Sequence, residues 1–206
     1  YLLSIETRGI KLGLRRTQKI MDACGNPQFR MPSIQVAGTN GKGSVCAMLS
    51  NILKMAGYKT GLFTSPHLQY VNERIRINGI PIPNYEIDVF IQQYKTDIEK
   101  IESTFFETIT TMAFLYFKKK CVDIACLETG LGGRLDSTNV LDTDLTIITP
   151  IDIDHQNILG HTIKEIASEK AGIIKKNTPV ISSHQHKEVM KILSNRANSI
   201  DRKSVV

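Results

Sequence analysis

Hydrophobic residues along this chain fall into short continuous runs separated by longer segments with helical spacing. The short runs are Ser33 to Ala37, Lys59 to Phe63, Val122 to Leu127, Leu145 to Thr149 and Val180-Ile181. Each is bounded by polar or glycine-rich residues, a pattern that predicts buried strands. Positions 45, 48, 49, 52, 53 and 56 are apolar, a helical stripe ending at Gly57, which suits a C-cap. Asn84 is placed to cap a helix to about Glu102, and Thr104-Phe105-Phe106-Glu107 opens another that ends near Lys120. Thr162 to about Ile174 and Lys187 to Arg196 are further helices, and an early one, Thr17 to Cys24, is closed by Gly25-Asn26-Pro27. Asn72 to Gly79 alternates and ends in Asn-Gly, which predicts a hairpin arm. Strands alternating with helices predict an α/β fold, a mainly parallel sheet with helices on both faces.

The stretch between the first strand and the striped helix carries the first chemistry: Gly38-Thr39-Asn40-Gly41-Lys42-Gly43-Ser44. Glycines let backbone close around an anion, and the first helical amides have no intrahelical acceptor. Lys42 adds a charge that reaches phosphate, and Ser44 a hydroxyl suited to a metal. It is a variant of the common nucleotide loop, with Val36 where a glycine is usual and Gly43 where Ser or Thr follows the lysine. In a parallel α/β sheet ligands gather beyond the carboxyl ends of the strands. That rule collects the 38–44 loop, Thr64-Ser65, Glu128 and Asp154-His155 in one neighbourhood. Alone, Ser65 is more often a turn residue and His155 a structural histidine. Together beside a phosphate loop they read as a nucleotide and metal cluster. Mg²⁺ prefers oxygen ligands, so the histidine fits Mn²⁺ equally well.

Charge and composition narrow the partners. The net charge is +6, and from Gly160 onward nine Lys/Arg against four Asp/Glu give +5. No stripe of basic residues interleaves with aromatics, which are 6% of the chain, so an anionic small molecule is expected rather than nucleic acid. No apolar run approaches the ~20 residues that span a bilayer. Cys24, Cys46, Cys121 and Cys126 form no CxxC pair and read as reduced thiols of a cytoplasmic protein. Tyr1 is not an initiator Met, and residues 201–206 lack periodicity; both ends are expected to mark a fragment, with 201–206 a non-native tail.

Five motifs, in order, carry a family resemblance. They are Val36 to Ser44, Thr64-Ser65-Pro66-His67-Leu68, Asn72-Glu73-Arg74-Ile75, Leu127 to Val140, and Asp154-His155 with Glu169 to Lys175. Together they resemble the Mur ligase superfamily, and within it the folylpolyglutamate and dihydrofolate synthases, over most of residues 9 to 195. The resemblance implies that residues 1–200 are an incomplete ATP-binding domain, without the C-terminal glutamate-ligase domain, and inactive alone. It implies an ATP-dependent ligase, monomeric at full length, joining L-glutamate to dihydropteroate or a folate through an acyl phosphate. Lys42 and the loop amides then hold phosphate, and Ser65, Glu128 and His155 resemble metal ligands. Lys170 resembles a lysine that the family carbamylates. The Leu12-Gly13-Leu14 region, Leu14 above all, and Thr104-Phe105-Phe106-Glu107 resemble parts of the pterin pocket, although Phe105 and Phe106 are as readily helix core.

Three other readings stay open. A P-loop kinase or GTPase would place Ser or Thr directly after Lys42. A cell-wall Mur ligase more often carries that residue too, and lacks the Ser-Pro-His and Asn-Glu-Arg segments. A non-catalytic nucleotide-binding fragment is the third.

Overall fold

A strand covered on both faces has no solvent-facing side, and β1 (Ser33–Ala37) is buried at every position, the polar Ser33 and Gln35 included. In the computed structural model it lies inside the sheet, pairing in parallel with β5 (Ile124–Glu128) on one side and β6 (Leu145–Ile148) on the other. Beyond β5 come β2 (Thr60–Phe63), also parallel, and the antiparallel β3 (Ile75–Ile77) and β4 (Ile80–Pro81). Beyond β6 come the parallel β7 (Val180–Ser182) and β8 (Ser204–Val205). The eight strands run in the order β4-β3-β2-β5-β1-β6-β7-β8. The structure describes residues 1–200 and the backbone of 204–205, so most of the 201–206 tail lies outside the described residues.

Side chains alternate between the two faces of this sheet. Ile34, Val36, Leu62 and Cys126 meet Cys46, Leu49 and Leu53 of α2 (Lys42–Met55). On the other face, Phe63, Ala125 and Leu127 pack with α1 (Arg15–Ala23), α3 (Asn84–Ile101) and α4 (Phe105–Lys119). Ala37, Ile148 and Val180 pack there with α6 (Ile163–Ala171) and α7 (Lys187–Ser199), which follow the one-turn α5 (Gln156–Leu159). The expected α/β architecture with helices on both faces is therefore present. Among the described residues no helix is long and apolar enough to cross a membrane. Cys24, Cys46 and Cys126 are buried free thiols and Cys121 an exposed one.

Local chemistry sets the helix ends. Thr104 Oγ1 accepts the Glu107 N–H at 3.3 Å and Glu107 Oε2 accepts the Thr104 N–H at 2.7 Å, a reciprocal cap that starts α4. Such a cap contributes about 1 kcal/mol. At the end of α2, Tyr58 N–H reaches Leu53 O and Gly57 N–H reaches Lys54 O, with Gly57 at φ +95°, a Schellman closure.

Several expectations need correction. The α2 stripe does not all face the sheet: Met48 and Ile52 are 57% and 63% exposed, because the helix meets the strands through Cys46, Leu49, Ser50 and Leu53. Asn84 does not cap α3; Pro83 stands at that position, and Asn84 Oδ1 instead accepts from Asn72 Nδ2 at 2.9 Å. Residues 71–74 form a 3₁₀ turn, leaving only Ile75–Ile77 for the hairpin arm. α6 stops at Ala171 rather than near Ile174, because Gly172, Ile173 and Ile174 donate three residues back, which tightens the chain into a turn.

Candidate active site

β1, β2, β5 and β6 run in parallel, so the loops that follow them share one edge of the sheet. The loop after β1 is braced by the loop after β6. Thr39 and Asn40 N–H donate to Pro150 O, and Thr39 Oγ1 both donates to Asp152 O and accepts its N–H, each at 3.0 Å. Gly38 (φ +150°) is pressed against Thr149, where an added Cβ would lie 1.9 Å from Oγ1. Gly41 (φ +82°) turns the chain into α2. Among the described residues the N–H groups of Gly41, Lys42 and Ser44 find no protein acceptor, as expected of a helix start open to an anion. Lys42 Nζ folds back to Thr39 O at 3.2 Å, over the same loop. Asn40 and Ser44 are exposed at its rim.

Glu128 ends β5 and is 5% exposed. It accepts the Ser65 N–H at 2.9 Å, and a Cβ on Gly43 would sit 3.2 Å from its Oε2. The glycine after the lysine thus has a physical reason: it lets a carboxylate approach the start of α2. Burial pushes the Glu128 carboxyl pKa up, while the Ser65 and Gly43 amides and the Lys42 charge oppose that rise. The Ser65 hydroxyl has no protein partner among the described residues. His155 caps α5 in a left-handed conformation, φ +48°, with Nε2 3.5 Å from Asp154 Oδ2. Lys170, on α6, is 3% exposed and donates to Gly38 O at 2.7 Å. Burial lowers its pKa to about 8.

Beside this cluster opens a cavity of about 400 Å³. Lys42, Ser65 and His155 line one part, and Leu12, Phe105, Phe106, Leu131 and Leu135 supply apolar walls. Phe106 covers Gly130, where a Cβ would come within 2.4 Å of its ring. The structure thus brings Lys42, Ser65 and His155 onto one cavity, sets Glu128 behind Ser65 and puts Lys170 behind the phosphate loop. Leu14 stands at the start of α1 and is not part of the lining, which takes Gly9 to Leu12 instead. Sequence reasoning also passed over Arg74 as a cavity residue and the buried Asp136, which accepts from Leu131 N–H and from Thr138. The signal for Asp136 was its place in the second glycine-rich loop.

Hard oxygen donors at Glu128 and Ser65 fit Mg²⁺, and the unpartnered Ser65 hydroxyl is free to take such a role. Among the described residues no three or more His, Cys, Asp or Glu gather, so the donor set here is mixed.

An anion-receiving loop at the carboxyl edge of a parallel sheet, with a buried carboxylate against its helix, defines a nucleotide-binding α/β protein. The family model of the Mur ligase middle domain matches residues 36–202, and the chain belongs to that family. It is 45% identical over 196 residues to the dihydrofolate synthase/folylpolyglutamate synthase of Bacillus subtilis, covering 92% of this chain and 46% of that protein. The solved Mycobacterium tuberculosis folylpolyglutamate synthase complexed with ADP superimposes with a TM-score of 0.91 at 37% identity, over 99% of this chain and 49% of that one. An FPGS–AMPPCP–folate complex gives 0.90 at 33% identity, over 99% and 52%. The chain thus spans about half the length of the relatives it matches.

Proposed function

We propose that this chain is the nucleotide-binding part of an ATP-dependent ligase that joins L-glutamate to dihydropteroate or to a folate. The carrying observation is the cavity itself. It joins the phosphate-loop lysine, Ser65 and His155 to apolar and aromatic walls from Leu12, Phe105, Phe106, Leu131 and Leu135, with Arg74, Glu107 and Asp136 among its further polar groups. An acceptor with a flat ring system and a carboxylate fits such a site, with the carboxylate toward the nucleotide. The relatives named dihydrofolate and folylpolyglutamate synthases, and the ADP-bound and folate-bound neighbours, support the same reading.

The chemistry proceeds in two displacements. A carboxylate oxygen of the acceptor attacks the γ-phosphorus of ATP, and ADP leaves. The amine of glutamate then attacks the acyl carbon, loses a proton, and phosphate departs as the amide forms. Such transfers need alignment and charge neutralisation more than a protein nucleophile. Lys42 and the free amides of Gly41, Lys42 and Ser44 hold the phosphates. Ser65, Glu128 and His155 would hold Mg²⁺, which would supply neutralisation of the phosphate charge. Lys170 is positioned to act on the loop through Gly38 O. Its lowered pKa leaves a share of neutral amine, and a neutral amine adds CO₂ to become a carbamate. That carbamate belongs to this proposal.

The test supplies the full-length protein with ATP, glutamate and either dihydropteroate or tetrahydrofolate and follows ADP release. ADP release that requires both acceptor and glutamate is expected. Release without an acceptor, or with a cell-wall precursor only, would overturn the reading.

A further inference from the structure

We infer that Arg74 receives the carboxylate of the acceptor and that His67 holds its guanidinium in place. The inference rests on the proposed function for the identity of the acceptor, but the observations behind it are independent. Arg74 is 9% exposed. Its Nε donates to His67 Nδ1 at 2.8 Å, the one hydrogen bond its side chain makes among the described residues. No acidic side chain there lies within ion-pair distance; Glu6 and Glu128 act on it only through space. Burial depresses its pKa, yet a guanidinium keeps its charge. A buried charge without a counter-ion costs stability unless something pairs with it.

The remaining donors are placed to meet a ligand. Arg74 lines the cavity, and its guanidinium carbon sits 5.1 Å from the centroid of the Phe105 ring. Its backbone O accepts the Thr64 N–H at 3.0 Å, directly beside Ser65. Arg74 therefore stands between the phosphate end of the cavity and its aromatic wall, where the carboxylate of an aromatic acceptor must lie to reach the nucleotide. The other cations of the lining are engaged: Lys42 with Thr39 O, and Lys11 with Glu102 at 3.9 Å. A planar fork of N–H groups matches a carboxylate in a way an ammonium does not. Because His67 accepts at Nδ1, its proton is on Nε2, and the imidazole fixes the plane of the fork. His67 is a positioning residue that acts through Arg74.

The experiment compares equilibrium binding of pteroate and of its carboxamide to the full chain. The wild type is expected to prefer the carboxylate by about tenfold or more, the size of one charge-assisted hydrogen bond. Arg74→Gln should lose the preference by weakening the carboxylate far more than the carboxamide. Arg74→Lys keeps the charge without the fork and should retain only part of the preference, which keeps the test alive if the glutamine variant fails to fold. His67→Ala should weaken the preference, and His67→Asn, whose Oδ1 can accept from Nε, should restore some of it. Equal weakening of both ligands by the Arg74 variants, or an unchanged preference, would overturn the assignment while leaving the acceptor reading intact. Binding of neither ligand by the wild type would overturn the acceptor reading and the assignment with it.

Discussion

Gly38→Ala probes the tightest contact of the phosphate loop. The new methyl group would lie 1.9 Å from Thr149 Oγ1 and 2.9 Å from Thr149 O, at a φ of +150° that side chains rarely adopt. Backbone strain of that kind costs about 1–3 kcal/mol. Forcing an extra carbon into a packed site adds about 1–3 kcal/mol. The sum, roughly 2–6 kcal/mol, is a large part of the ~5–15 kcal/mol that holds a domain together. At roughly 2–4 °C per kcal/mol for a chain of this size, Tm should fall by about 10 °C. Gly41→Ala is the internal control, since Gly41 also has positive φ, +82°, but nothing lies within 4 Å of its added Cβ. It should cost only about 1 kcal/mol. Thr149→Ala removes the nearest atom, so the double variant should regain part of the loss; the carbonyl at 2.9 Å stays and limits the rescue. Urea midpoints of the four proteins give the coupling directly. A Gly38→Ala cost no larger than that of Gly41→Ala, or zero coupling to Thr149, would refute the steric account.

Lys42→Ala should abolish ATP turnover in the full-length protein with little change in its urea midpoint, because the one hydrogen bond its side chain makes among the described residues is to Thr39 O; unchanged turnover would sink the phosphate-loop assignment. Glu128→Ala and His155→Ala should each raise the metal concentration needed for activity, with partial recovery at high Mg²⁺. Lys170→Ala should lose activity and regain some of it with added short carboxylates, and full activity of the wild type in carbonate-free buffer would argue against a carbamate. Lys175 is half-buried, donates to Asn139 O and Leu141 O, and has a pKa lowered by desolvation to about 8. Its unfolded value is near 10.4, so between pH 8 and 10.4 the unfolded chain holds more protons and stability rises with pH. The wild type should therefore gain on the order of 3 kcal/mol over Lys175→Met across that window; a flat difference would show that the ammonium is not desolvated.

What the sequence makes legible here is what local pattern controls. Ser33 to Ala37 reads as a strand because both its faces are covered, and the 38–44 loop reads as an anion site because glycines and a lysine stand at a strand-to-helix junction. Glu128 follows from its place at a strand end. Of the Leu12-Gly13-Leu14 region only Leu12 lines the cavity, since the spacing does not say where the chain before α1 turns away from it. Arg74 was passed over for another reason. It alternates with Arg76 in a stretch that looks solvent-facing, and its burial is imposed by Phe105 and His67 from other segments. The α2 stripe misled because apolar residues surround more of that helix than the sheet can cover. Lys170 stood out only through the family resemblance, and its acceptor, Gly38 O, lies 132 positions earlier, beyond the reach of local pattern.

That last separation has a consequence for how the protein is made. The phosphate loop emerges from the ribosome early, but Asp152, which braces Thr39, follows 113 residues later and Lys170, which holds Gly38 O, 132 residues after its partner. At ~5–20 residues per second, the loop waits on the order of ten seconds for the groups that shape it. During that interval nucleotide has no formed site to stabilise by mass action. On the proposed function, nucleotide can protect only nascent chains whose synthesis has passed Lys170.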